Sequence, residues 1–158
     1  MRFDSDAWLG GIFGCDVFKV TVEKDEVLEP KIVFLESLLP RNAFYYVKVP
    51  VTSVAQVGSL TMAGFRVIDV NVTFEQEPTR SVESNSKIIV RDVLPKDESA
   101  VLDIAESAFV YSRFHLDPLV SNKLANRIKR EWIANYVRGQ RGERLLVAEV
   151  DDKPAGFL

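Results

Sequence analysis

Leu146-Val147-Ala148-Glu149-Val150-Asp151-Asp152-Lys153-Pro154-Ala155-Gly156-Phe157-Leu158 decides how the second half of this chain folds. Five residues of mostly apolar, β-compatible character lead into two aspartates, whose short side chains tolerate left-handed turn conformations. The text then turns apolar again. This is a hairpin: strand Leu145–Val150, turn at Asp151-Asp152-Lys153, and the start of a return strand from Pro154. The chain stops inside what reads as the middle of that return strand. Native chain ends are usually polar and frayed, so the length itself carries an expectation of an interrupted sheet.

Upstream of the hairpin, Lys87-Ile88-Ile89-Val90-Arg91 reads as a short buried strand. Asp97 is placed to cap a helix running to about Phe109, with Val101, Ile104, Ala105 and Ala108 facing inward. Tyr111-Ser112-Arg113-Phe114-His115-Leu116-Asp117-Pro118 reads as an irregular loop rich in groups that contact ligands. Ser121 caps a long helix to about Val137, with Leu124, Ile128, Trp132 and Tyr136 at i, i+4 spacing as its expected core stripe. Gly139 and Gly142 end it.

The first half reads differently. A β-rich run at Val17–Val22 follows the turn-prone glycines Gly10, Gly11 and Gly14, near Trp8. The spacing of Leu28, Ile32, Leu35 and Leu39 predicts a helix over 28–39, stopped by Pro40. A strand is expected over Ala43–Val49, and a second helix from a Thr52 cap through about Met62, with Gly64 as its left-handed C-terminal residue. A strand is expected over Phe65–Phe74. The order β-α-β-α-β gives an α/β half-domain at residues 1–83. The polar stretch 77–86 reads as a linker, and residues 84–158 form the second unit. The overall class is α/β or α+β: an accessory half-domain followed by a mixed sheet with flanking helices.

Composition narrows the function. The 158 residues are 47% apolar and 27% charged, with net charge −3. That composition is globular, and a dedicated nucleic-acid binder is usually more basic. No apolar run is long enough to cross a bilayer, and the N-terminus carries no secretory pattern, so no membrane partner and a cytoplasmic location are expected. One cysteine, Cys15, and one histidine, His115, leave no disulfide framework and no multi-ligand Cys/His zinc site within one chain. No metal is therefore expected. Charge is uneven: residues 1–83 hold 8 basic and 12 acidic side chains, residues 84–158 hold 12 and 11. From Arg113 to Arg144 there are 8 basic and 3 acidic residues. Such a face suits a pyrophosphate or nucleotide, and Lys123, Arg127, Lys129 and Arg130 equally read as a solvated helix exterior. There is no Gly-x-Gly-x-x-Gly, no P-loop and no Gly-x-Ser-x-Gly elbow. Binding of an anionic partner or nucleic acid through the Arg113–Arg144 patch is the weakest of the functional readings.

The second unit resembles the first half of a GNAT-fold acyl-CoA N-acyltransferase, in which a "VAE-x-DG-x-x-x-G" hairpin forms the second and third strands. Ser107–Phe114 and Glu131–Gly139 are similar to one branch, the acetyltransferases that act on dTDP-fucosamine and related TDP-4-amino sugars. Those enzymes also carry an N-terminal α/β unit, and Leu60–Val67 is like their "L-x-x-x-GF" element. The resemblance implies a TDP-amino-sugar acceptor, with Tyr111, Ser112, Arg113, Phe114 and His115 on the acceptor side. The family takes acetyl-CoA on a later Gln/Arg-x-x-Gly-x-Gly/Ala loop, whose backbone N–H groups hold the pyrophosphate. That loop, and the family's acidic tyrosine, would follow Leu158. No cofactor site and no catalytic residue are therefore expected in this chain, which reads as an incomplete, inactive form. The alternative is a non-catalytic GNAT-like binding module. Its expected form is a homodimer through the edge of the Pro154–Leu158 strand.

Overall fold

The computed structural model describes residues 1–24, 26–28, 42–77 and 87–158. The chain divides into two compact units, Met1–Asn71 and Val72–Leu158. The expected boundary near residue 83 and the helix expected over 28–39, apart from Leu28, lie outside the described residues. Two small sheets, one in each unit, and the helices beside them make this an α+β protein. Among the described residues no helix is long and apolar enough to cross a membrane.

In the first unit β1 (Arg2–Ser5), α1 (Ala7–Phe13), β2 (Asp16–Thr21), β3 (Ala43–Val47) and α2 (Val54–Met62) follow in order. The sheet order is β1-β2-β3, antiparallel then parallel, so the mixed sheet lies in the first unit and not in the second, where it was expected. The strand and helix at the N-terminus were not expected, and Gly10 and Gly11 sit inside a helix rather than a turn. The reason is local. The Asp6 carboxylate accepts the Leu9 N–H at 2.9 Å, giving the helix an N-cap. Gly14, at φ +74°, closes it in the left-handed conformation. Asp6 also accepts the Tyr46 hydroxyl at 2.9 Å, tying the helix start to β3. Leu9, Ile12, Val17 and Val20 are buried around this junction, and Leu28 and Leu60 form a second apolar cluster.

Helix α2 starts after Ser53 rather than Thr52 and ends as expected at Gly64, φ +87°. The expected strand over Phe65–Phe74 does not form: these residues have no regular structure, and Val67, Val70, Val72 and Phe74 are exposed. Alternation alone makes a strand only where a neighbouring strand supplies hydrogen bonds, and among the described residues none pairs with it.

The second unit contains β4 (Ile89–Asp92), a 3₁₀ turn (Pro95–Asp97), α3 (Glu98–Ser107), α4 (Arg113–Leu116), α5 (Asn122–Val137), β5 (Leu146–Val150) and β6 (Lys153–Phe157). Its sheet, β4-β5-β6, is antiparallel throughout rather than mixed. The hairpin forms as expected, with Asp151 and Asp152 both at positive φ, the signature of a two-residue type I′ turn. Pro154 is tolerated because β6 is an edge strand. Val101, Leu145 and Val147 form the core, with Ile133, Tyr136, Val137 and Phe157 packed against it. Helix α3 buries Val101, Leu102 and Ala105, whereas Ala108 is exposed.

Asp97 does not cap α3 with its side chain. It accepts two hydrogen bonds from the Arg91 guanidinium at 2.6 and 3.1 Å, and the Leu94 N–H at 2.8 Å. Arg91 also donates to Glu149 through Nε at 3.0 Å and through Nη2. Asp97 and Glu149 are only 2% and 8% exposed, so this network binds β4, the start of α3 and β5 from the inside. The register explains it: Arg91 lies opposite Val147, which puts Glu149 two residues along on the same face. Arg91 beside it draws the Asp97 carboxyl down from 3.8 to about 2. A carboxyl depressed on folding stabilises fully above its ordinary pKa and loses that contribution as pH falls through the folded value. The melting temperature is therefore expected to drop between about pH 4 and pH 2, and Asp97→Asn should lower it by roughly 5–10 °C at pH 7 while flattening this acid limb. Thermal melts of both proteins across that range test it; equal acid slopes would sink the assignment.

Candidate functional site

The segment between α3 and α5 carries the ligand-directed residues expected from sequence. The chain leaves α3 at Ala108 and bends through Val110 and Tyr111. It turns at Ser112, φ −78° and ψ 160°, into the single-turn helix α4, where an irregular loop was expected. Helix α4 stops at Asp117 because the residue before a proline is pushed to extended backbone, here ψ 118°. The Asp117 side chain accepts the Leu119 N–H at 2.9 Å, and Ser121 then caps α5 as expected, accepting the Leu124 N–H.

The five expected residues take different places. Phe114 is buried in the core, 7% exposed, and anchors α4. The Arg113 guanidinium lies over the Phe114 ring, 4.5 Å from its centroid. Tyr111 is 83% exposed. Ser112 and His115 join: Ser112 Oγ is 2.7 Å from His115 Nδ1, and His115 Nε2 is 2.7 Å from Asn126 Oδ1 on α5. An amide oxygen only accepts, so Nε2 carries the hydrogen, and in the neutral ring Nδ1 accepts the Ser112 proton. With its one proton committed to the ring, the Ser112 oxygen presents only lone pairs to a ligand. Both imidazole nitrogens are thereby used within the second unit.

The basic row of α5 splits by partner. Arg130 donates to Asp103 at 2.8 Å and Glu106 at 2.9 Å, stapling α5 to α3. Lys123 and Arg127 are exposed. Lys129 turns to aromatic rings, its ammonium 4.6 Å from the centroid of Phe109 and 5.0 Å from that of Trp132. Arg141 reaches the Trp132 ring at 5.9 Å. Burial pushes the Lys129 ammonium pKa down, and the nearby Arg113 charge adds to that.

Trp132 is therefore not the core residue its spacing predicts; it is 36% exposed and forms a platform for cations. An i, i+4 series advances about 40° beyond a full turn at each step, so Leu124, Ile128, Trp132 and Tyr136 wind around the helix rather than share one face. Ile128 is buried as expected, and the other buried residues of α5 are Ala125 and Ala134. Beyond the end of α5, Tyr136, Arg141 and Gly142 line a shallow cleft of 240 Å³ together with Asp92 and Leu145. Gly142, at φ +75°, lets the Tyr136 ring occupy the space a side chain would fill.

Asn126, Phe109, Trp132 and Arg141 were not singled out as ligand groups from sequence. The Lys129–Trp132 spacing of i, i+3 was a readable signal, because such residues share a helix face. The His115–Asn126 contact had no local signal. Among the described residues no three His, Cys, Asp or Glu side chains converge to hold a metal ion. Compared with known protein families and with curated proteins, the sequence matches none.

The relay predicts that the neutral form of the His115 ring is the Nε2–H tautomer. Because the chain has one histidine, a long-range ¹H–¹⁵N correlation spectrum reports it without assignment. The Nε2–H pattern is expected in the wild type and tautomer averaging in Asn126→Ala. An Nδ1–H pattern in the wild type would contradict the proton placement.

Proposed function

We propose that the second unit is the acceptor half of a GNAT-fold N-acyltransferase, of the kind that acetylates a nucleotide-linked amino sugar. One observation carries the reading: strand, helix, short turn, long helix and a type I′ hairpin follow in that order, with all three strands in one antiparallel sheet. The Ser112–His115–Asn126 relay supports it. In the neutral-ring form it leaves the Ser112 oxygen only lone pairs to offer, which suits a donor such as a sugar ammonium or hydroxyl. The Arg113 guanidinium beside the relay supplies positive charge for a phosphate.

In a complete enzyme of this class, acetyl-CoA supplies the acyl group, and the protein positions the amine and removes its proton. The Gly-rich donor loop of the family is not among these 158 residues. The chain by itself is proposed to take the acceptor and to release no CoA. Calorimetry with a TDP-linked 4-amino sugar should show binding that Arg113→Ala weakens about fivefold or more, and acetyl-CoA should give no heat. Binding of acetyl-CoA by this chain, or no response to the amino sugar, counts against the proposal.

A second reading, a non-catalytic module that assembles with its own copy, is favoured by the sheet edges. Strands β4 and β6 are both unpaired on one side among the described residues, and Ile88, Ile89 and Val90 are 45–63% exposed. An open strand edge is a template for another strand. On this reading the chain is a homodimer through β6. Light scattering at tens of micromolar distinguishes it, since a soluble monomer there is incompatible with the module.

A further inference from the structure

Ser112 stands where a helix cap belongs, yet its hydroxyl does not cap. A serine ahead of a helix ordinarily accepts an N–H of the first turn, as Ser121 does from Leu124 ahead of α5. Ser112 makes no such side-chain bond at the start of α4. Its Oγ lies 2.7 Å from His115 Nδ1 instead, and His115 Nε2 lies 2.7 Å from Asn126 Oδ1. Hydroxyl, imidazole and amide are therefore in series, the first two from one turn of chain and the third from a separate helix. In the neutral ring the amide oxygen holds the hydrogen on Nε2, and the Nδ1 lone pair meets the hydroxyl. All three side chains are half-buried, partly withdrawn from water and still within reach of a ligand.

A serine hydroxyl alone is a weak nucleophile. It is activated by a base at hydrogen-bond distance, about 2.6–3.2 Å, when a third group orients that base. Both distances here meet that condition. We propose that Ser112 is an acyl-accepting nucleophile, with His115 as its base and Asn126 as the positioning residue, and that this site cleaves small apolar carboxylic esters. The substrate class follows from the surroundings. Val110 and Tyr111 just before the serine are 60% and 83% exposed, which suits an apolar acyl or aryl group. A neutral amide orients the ring without the charge by which a carboxylate stabilises an imidazolium, so the site suits activated esters rather than amides.

In the acylation step the Ser112 proton moves to Nδ1 while Oγ bonds the carbonyl carbon of the ester. The carbon–oxygen bond to the alcohol then breaks, and the alcohol leaves with the proton from Nδ1. Water repeats the sequence on the acyl-serine: Nδ1 takes its proton, its oxygen bonds the acyl carbon, and Oγ leaves with that proton, releasing the carboxylic acid. This activity goes beyond the acceptor reading and does not require it.

The full chain should release p-nitrophenolate from p-nitrophenyl acetate in a burst followed by slow turnover. Ser112→Ala and His115→Gln should each lower the rate about tenfold or more, whereas Ser107→Ala, an exposed serine of α3, should leave it unchanged. Asn126→Ala should lower kcat about fivefold or more at constant KM, and Asn126→Asp, which keeps an accepting oxygen, should restore it. Diisopropyl fluorophosphate should phosphorylate wild-type Ser112 with loss of fluoride, located by peptide mass spectrometry; this readout needs no variant to fold. An unlabelled Ser112, or equal rates in folded wild type and Ser112→Ala, would overturn the site; labelling undiminished in His115→Gln would overturn the role of the base. The two proposals fail separately. Calorimetric binding of the TDP-linked amino sugar with no serine labelling leaves the acceptor reading and removes this one, and labelling with no amino-sugar binding does the reverse.

Discussion

The guanidinium of Arg91, held between the buried carboxylates of Asp97 and Glu149, is the constraint on which the second unit depends. A charge on β4 reaches the start of α3 and the middle of β5 at once. Two carboxylates removed from water are tolerable only with a cation and further donors in place, and Leu94 N–H supplies one of those donors. The network therefore fixes where α3 leaves the sheet. Helix α3 in turn carries Asp103 and Glu106, which hold Arg130 and so orient α5.

The candidate site is built where two helices and the segment between them meet. Phe114 buries the single turn of α4, which leaves Ser112, Arg113 and His115 at the border between core and solvent. Polar side chains at such a border need partners, and here they find them in each other and in α5. The result is two adjacent chemistries: an oriented hydroxyl–imidazole–amide chain and a cationic patch on aromatic rings. Both lie within the span Phe109–Arg141, the part of the sequence with the greatest local excess of basic residues.

Legibility in the sequence followed the range of the interaction. The Asp151-Asp152 turn, the Ser121 cap, the left-handed Gly64 and strands β2, β3, β5 and β6 were readable because each is written within a few residues. The N-terminal helix was missed although its cap is local: Gly10 and Gly11 read as turn residues, whereas Asp6 and Gly14 bracket them as helix ends. Trp132 lies off the core because an i, i+4 row winds about 40° per step and does not keep to one helix face. Phe65–Phe74 has the pattern of a strand, and among the described residues no strand pairs with it. Of the site, the stretch Tyr111–His115 was legible from its residue types, while Asn126, Arg141 and the rings beneath the cations were not.

The sequence by itself determined the punctuation of this protein: its α+β class, its division into an acidic first part and a slightly basic second part, and the exclusion of disulfide and multi-ligand Cys/His zinc chemistry within one chain. Those follow from composition and from interactions spanning three or four residues. Only the tertiary structure decided that Asp97 serves Arg91 rather than a helix end, that His115 is committed to Ser112 and Asn126, and that Lys129 lies on Phe109 and Trp132. Each of these joins residues from different elements. Which of several eligible partners a charge or an amide meets is set by how helices and strands pack, and that is not encoded in the spacing of any one segment.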